Sequence, residues 1–128
     1  MSSRLPSFYA PVTIDVEGEI TKTRWIGTFN VKRVLTHRDR FTIENYYAEY
    51  LRDDSKSAFS VKADASSLAE LRVRIQSGTS WWEDSNYGLD LVDEAPIMAL
   101  LQAVKKAKEG WDKELETIVA KAPKERAP

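Results

Sequence analysis

The sequence predicts an α+β fold in which an N-terminal β-hairpin packs on about three helices, the last of them long and amphipathic. Three observations predict it. Apolar residues alternate with polar ones over two short runs near the N-terminus, they recur three and four apart over the last third of the chain, and turn residues separate the two regimes. At 128 residues the size prior is a single domain over residues 1–128, large enough to bury roughly two-thirds of its unfolded surface.

The first residues, about 1–8, lack periodicity and read as a flexible arm. From Val12 the pattern alternates, with Val12, Ile14 and Val16 on one face and Thr13, Asp15 and Glu17 on the other, as in a half-buried strand. Glu17-Gly18-Glu19 supplies a turn, because glycine tolerates the positive φ that tight hairpins need. In the second run Trp25, Gly27, Phe29 and Val31 face one way, while Lys22, Arg24, Thr28, Asn30 and Lys32 mostly face the other. An isolated hairpin is marginal in water, so the downstream helices must cover its apolar face.

Thr36 followed three residues later by Asp39 has the form of a capping box, with Asp in place of the usual Glu. It opens a predicted helix from about His37 to Arg52, with Phe41, Tyr47, Tyr50 and Leu51 at helical spacing. Asp53 to Ser57 reads as a polar loop. A second helix is predicted from Ala58 or Asp64 to about Ser77, lined by Leu68, Leu71 and Ile75, with Gly78 suited to the left-handed position beyond its end. Thr79 to Leu91 reads as irregular, with Asn86 and Gly88 as turn residues. Asp93 is then the expected N-cap of a helix from about Glu94 to Ala120, with Pro96 tolerated in the first turn.

Along that last helix Ile97, Leu100, Leu101, Val104, Ala107, Trp111, Leu115 and Ile118 form one stripe, and Lys105, Lys106, Lys108, Asp112, Lys113 and Glu116 fill other faces. Nearly 40 Å long at about 1.5 Å per residue, it is as long as a small domain is wide, so part of the stripe is expected to overhang the core. The tail, about 121–128, has two prolines and no apolar spacing and reads as disordered.

Composition excludes several classes of chemistry. The chain has no Cys and one His, His37, which rules out disulfides, thiolate metal sites and Cys nucleophiles, and leaves almost no imidazole chemistry. Its glycines are too scattered for a phosphate-cradling loop or dinucleotide fingerprint. Asp84, Asn86 and Asp90 are spaced somewhat like calcium ligands, but Gly88 is one place early and Ala95 stands where the bidentate Glu belongs. Asp53-Asp54 reads as solvated turn residues and His37 as a surface residue without a catalytic companion. The reading is therefore a protein with no catalytic residues, no metal and no cofactor. No 7- to 15-residue apolar leader and no window near the roughly 20 apolar residues of a membrane span are present, so the expected compartment is the cytoplasm.

A net charge of −1 conceals two patches. Residues 20–40 carry +5, from Lys22, Arg24, Lys32, Arg33, Arg38 and Arg40 against Asp39, and residues 83–94 carry −5. Such patches can be solvated, pair within the fold, pair between copies or steer different partners. Nucleic-acid binding through the basic hairpin, with Trp25 or Phe29 as stacking platforms, is disfavoured: those rings share the face the hairpin must bury, and the pI of about 5.9 gives no general attraction to phosphate.

The pair Trp81-Trp82, followed by Glu83, Asp84, Asp90, Asp93 and Glu94, places two large rings beside a polar rim, which is the composition of a binding anchor. Two adjacent side chains in an irregular segment rarely point the same way, so one ring is expected in the core and the other partly exposed. The candidate partner-binding surface is Leu101, Val104, Trp111 and Leu115 together with Trp81 or Trp82.

Three stretches, Gly27 to Thr36, Leu68 to Ile75, and Trp81-Trp82 with Gly88 to Asp93 leading into the final helix, resemble in this order the tail assembly chaperones of long-tailed bacteriophages, over about two-thirds of the chain. The resemblance implies a non-enzymatic protein of the host cytoplasm, many copies of which coat the helical tape-measure protein and leave as the tail tube polymerises. The N-terminal hairpin departs from the mostly helical character of such chaperones. The alternatives are a virion structural protein, in a head-to-tail or tail position, and a small nucleic-acid-binding protein. Homo-oligomerisation is compatible with the overhanging stripe.

Overall fold

The computed structural model describes residues 5–52 and 59–121. In chain order the elements are β1 (Tyr9–Glu17), β2 (Arg24–Lys32), α1 (His37–Leu51), α2 (Phe59–Arg74), β3 (Ile75–Ser77), α3 (Ser80–Asp84) and α4 (Ala95–Lys121). The fold is α+β, as the patterning predicts.

β1 and β2 pair antiparallel in one uninterrupted register from Tyr9↔Lys32 to Glu17↔Arg24. The period of two sends Ile14, Phe29 and Val31 into the core and leaves Thr13 and Thr28 on the outer face, their hydroxyls 3.0 Å apart. Beside them Arg24 Nε meets Asp15 Oδ1 at 2.6 Å. Pro11 is accommodated because β1 is an edge strand, where a missing N–H need not break a ladder.

The hairpin is one strand short of the sheet. β3 pairs antiparallel with β2 through Asn30↔Ser77 and Val31↔Ile75, with an irregularity in register between them, in the order β1-β2-β3. The expected helix to Ser77 therefore stops at Arg74. Ile75 enters the core as the backbone turns to cover the otherwise open edge of β2, and that pairing overrides local helical spacing. Gly78 does not take a left-handed conformation. It is needed for space, because the Phe29 ring lies where a Cβ would project.

The capping box at the start of α1 is complete. Thr36 Oγ1 accepts from the Asp39 N–H at 3.0 Å, and the Asp39 carboxylate accepts from the Thr36 N–H at 2.9 Å and from Lys32 Nζ at 2.8 Å. α1 packs chiefly on α2, so its covered strip is narrow. Tyr47, Tyr50 and Leu51 fall within that strip, while Phe41, expected on the same face, is 70 % exposed.

The segment expected to be irregular from Thr79 contains the short helix α3, followed by three successive left-handed residues, Asn86, Tyr87 and Gly88, at φ 58°, 57° and 87°. Glycine at the third position is demanded twice over, by its φ and by the approach of Trp82 and Leu68. α4 then crosses the covered face of the sheet and contributes Leu100 and Val104 to a core shared with Ile14, Phe29, Val31, Leu71, Ile75 and Trp82.

The arm is tied down from Ser7 onward. Phe8 O accepts from the Arg33 N–H at 2.6 Å, the Ser7 carbonyl accepts from Arg33 Nη2 at 2.6 Å, and the Phe8 ring meets Trp111 edge-on with centroids 5.4 Å apart. Residues 1–4, the polar loop with Asp53-Asp54, and the tail from 122 lie outside the described residues.

Candidate functional site

Asp93 does not cap the helix it precedes. Its carboxylate reaches into the β1–β2 loop, accepting from the N–H groups of Ile20 (2.8 Å) and Thr21 (2.9 Å), from the Thr21 hydroxyl, and from Trp25 Nε1 (2.9 Å). Burial alone would raise its pKa, but these bonds, led by those from Thr21 and Trp25, outweigh it and hold the carboxyl far below the usual carboxylate range. The open end of α4 is capped from across the fold: Glu19 Oε2 accepts from the Glu94 N–H at 2.7 Å and Oε1 from the Ala95 N–H at 3.0 Å. Those backbone bonds lower the Glu19 pKa. Gly18 is accordingly a matter of room rather than of φ, since the Asp93 carboxylate occupies the place of its Cβ.

The two tryptophans divide as expected, one into the core and one at its edge. Trp82 is 3 % exposed within the core. Trp81 is half-buried against the hairpin, 5.0 Å from Trp25 and 5.5 Å from Phe29 between centroids, with Nε1 donating to the Ile26 carbonyl at 3.1 Å.

The candidate surface on α4 is thereby redrawn. Val104 and Trp82, both 3 % exposed, are packing residues that a partner cannot reach while the fold is intact. Trp111 is half-buried under Phe8 and has the Arg33 guanidinium 5.8 Å from its centroid. Arg33 also grips Glu114 through Nη1 (2.8 Å) and Nη2 (3.2 Å), fastening the outer half of α4 to the end of β2. Leu101 and Leu115 are partly covered and keep an accessible edge.

Leu101 lines a groove of about 280 Å³ between α2, the loop after α3 and the first turns of α4. Leu68 and Ile97 are half-covered in it, while Val92 (63 %) and Met98 (50 %) stand out at its rim beside the exposed Asp64 and Glu94. Spacing on α4 pointed to Leu101. Met98 was missed because it lies off the main stripe, and Val92 because it belongs to a loop.

No protein-family model, curated protein or solved structure matches this chain.

Charge is mostly settled within the hairpin and its neighbours. Arg24, Lys32 and Arg33 pair with Asp15, Asp39 and Glu114, and among the described residues no ion pair joins the basic segment to the acidic one. Phe29, one of the two candidate base-stacking rings, is fully buried, so it offers no face to a nucleic acid. His37 is exposed at the start of α1. Among the described residues no three acidic or His side chains gather as metal ligands, and no helix is long and apolar enough to cross a membrane.

Proposed function

We propose that this chain is a non-enzymatic binding protein that shields amphipathic helices, acting as a bacteriophage tail assembly chaperone that coats the tape-measure protein in multiple copies and departs as the tube forms. The observation that carries the reading is the incomplete covering of α4. Met98 (50 %) and Val119 (64 %) stand exposed on a 27-residue helix, with Leu101 and Leu115 only half-buried between them. Exposed apolar side chains bordered by Lys105, Lys106, Lys108 and Lys113 suit a holdase, which must bind greasy helices and stay dispersed itself. The binding surface in this reading is Leu101 with its groove, continued by Leu115 and Val119.

The test is coexpression with the tape-measure protein of the phage that encodes this chain. The tape-measure protein is expected to be soluble with the native chain and to precipitate with a Met98→Asp/Leu101→Asp/Leu115→Asp variant of unchanged circular dichroism. Equal solubility with both chains would reject the surface. Recovery of the chain in purified virions by mass spectrometry would reject the chaperone role in favour of a structural one.

A further inference from the structure

Arg72 is treated differently from the buried arginines of this fold. Arg33 and Arg74, 7 % and 4 % exposed, each meet a carboxylate, Glu114 for the first and Glu70, at 2.6 Å from Arg74 Nε, for the second. Arg72 is half-buried and has no carboxylate within ion-pair distance among the described residues. Its guanidinium carbon lies 4.0 Å from the ring centroid of Tyr46 and 4.3 Å from that of Tyr87, and Nη1 donates to the Tyr50 hydroxyl at 3.3 Å. Stacking on aromatic rings occupies the faces of the guanidinium, whereas its N–H groups point outward in its plane. A fork held this way has already lost most of the rotamer freedom that binding would otherwise cost.

The same guanidinium lines a groove of about 240 Å³ with Tyr46, Gln76, Thr79, Glu83 and Tyr87. Tyr87 sits at φ 57°, a left-handed conformation that is uncommon for a bulky side chain and is maintained here with its ring over Arg72.

We propose that the groove around Arg72 is a binding site for a single carboxylate group, taken edge-on by the guanidinium N–H donors that no described residue takes up. The volume is below the range of sites that enclose a drug-sized ligand, so it suits one anionic group rather than a whole cofactor. Glu83 in the lining selects among anions, since its negative charge opposes a phosphate dianion more than a carboxylate monoanion. This site is separate from the α4 surface and stands or falls independently of the chaperone reading.

The experiment is an NMR titration of the full chain with acetate and, in parallel, with inorganic phosphate, following the arginine side-chain N–H resonances. Acetate is expected to move the Arg72 resonances saturably at millimolar concentration, while those of Arg24, exposed and paired with Asp15, drift without saturating. Arg72→Lys should abolish saturation of the neighbouring Tyr87 and Gln76 signals while the rest of the spectrum is retained. Glu83→Gln, an exposed change that leaves the fold intact, should tighten acetate binding by about threefold through removal of a like charge. Absence of saturation, an unchanged affinity in Glu83→Gln, or phosphate binding more tightly than acetate in the native chain would each overturn the carboxylate assignment.

Discussion

Glu19 and Asp93 each hold the backbone that follows the other: the Glu19 carboxylate accepts the N–H groups of Glu94 and Ala95, and the Asp93 carboxylate accepts those of Ile20 and Thr21. This crossed pair of acids joins the tip of the hairpin to the start of α4. Both carboxylates work only when ionised. Their pKa values in the folded chain lie below those of the unfolded chain, so their contribution is complete above about pH 5 and is lost as pH falls through 4 and below. Urea titrations at pH 7 and pH 3 should show a marked loss at the lower pH. Asp93→Asn is expected to be less stable than the native chain at pH 7 and to show a shallower pH dependence, since an amide cannot accept at both of its terminal atoms. A variant as steep as the native chain would place the acid sensitivity elsewhere.

Three glycines should respond to alanine with different signs. At Gly18 the new Cβ meets the Asp93 carboxylate, and at Gly88 it meets Trp82 and Leu68 on a left-handed backbone. Each change should cost about 1–3 kcal/mol. Gly110, inside α4, has only Arg33 Nη1 at 3.7 Å and Glu114 Oε2 at 4.0 Å near the position of a Cβ. Gly110→Ala should therefore stabilise the chain by about 0.5–1 kcal/mol, through the lower backbone entropy of alanine in the unfolded state. Thermal denaturation of the three variants side by side checks both signs.

Arg33→Ala removes the grip on Glu114, the bonds to the Ser7 carbonyl and the cation over Trp111. Hydrogen exchange should accelerate in residues 5–9 and in α4 beyond Ala107, while the amides of Leu100 and Val104 stay protected. Uniform acceleration along α4 would mean that its two halves open together.

The capping box can be measured on its own. Asp39→Ala leaves the Thr36 N–H and Lys32 without their acceptor and should cost about 1–2 kcal/mol, within the range of helix-cap losses. Thr36→Ser, which keeps the accepting oxygen, should be close to neutral. Chemical denaturation of the two variants separates the cap from the bulk of the side chain.

Much of what depends on neighbours in sequence was legible in the residue pattern, the short helix α3 excepted. Alternation placed Ile14, Phe29 and Val31 on one face, the Thr36-Asp39 spacing marked the start of α1, and the period of α4 gathered Leu100 and Val104 into one apolar stripe. Distant partners were not legible. Asp93 has every local mark of an N-cap, yet its carboxylate bonds to residues some seventy positions earlier, and Glu19 takes over the cap. Ile75 fits a helical stripe and a strand equally well, so only the open edge of β2 could decide between them. Of the candidate surface, Leu101, Trp111 and Leu115 stand at the margin, whereas Val104 and Trp82 are inside. A stripe wider than its cover shows that something is left over, without showing which side chains those are. The Arg72 site left no signal, because its tyrosines come from α1 and from the left-handed turn.

The crossed acids also set a timetable for synthesis. The hairpin emerges from the ribosome more than sixty residues ahead of Asp93, and until that carboxylate arrives the donors of Ile20, Thr21 and Trp25 have only water to satisfy them. Phe29 and Val31 wait just as long for Leu100 and Val104. The nascent chain is thus expected to carry an uncovered apolar hairpin face until α4 is made, and the shared core can close only then.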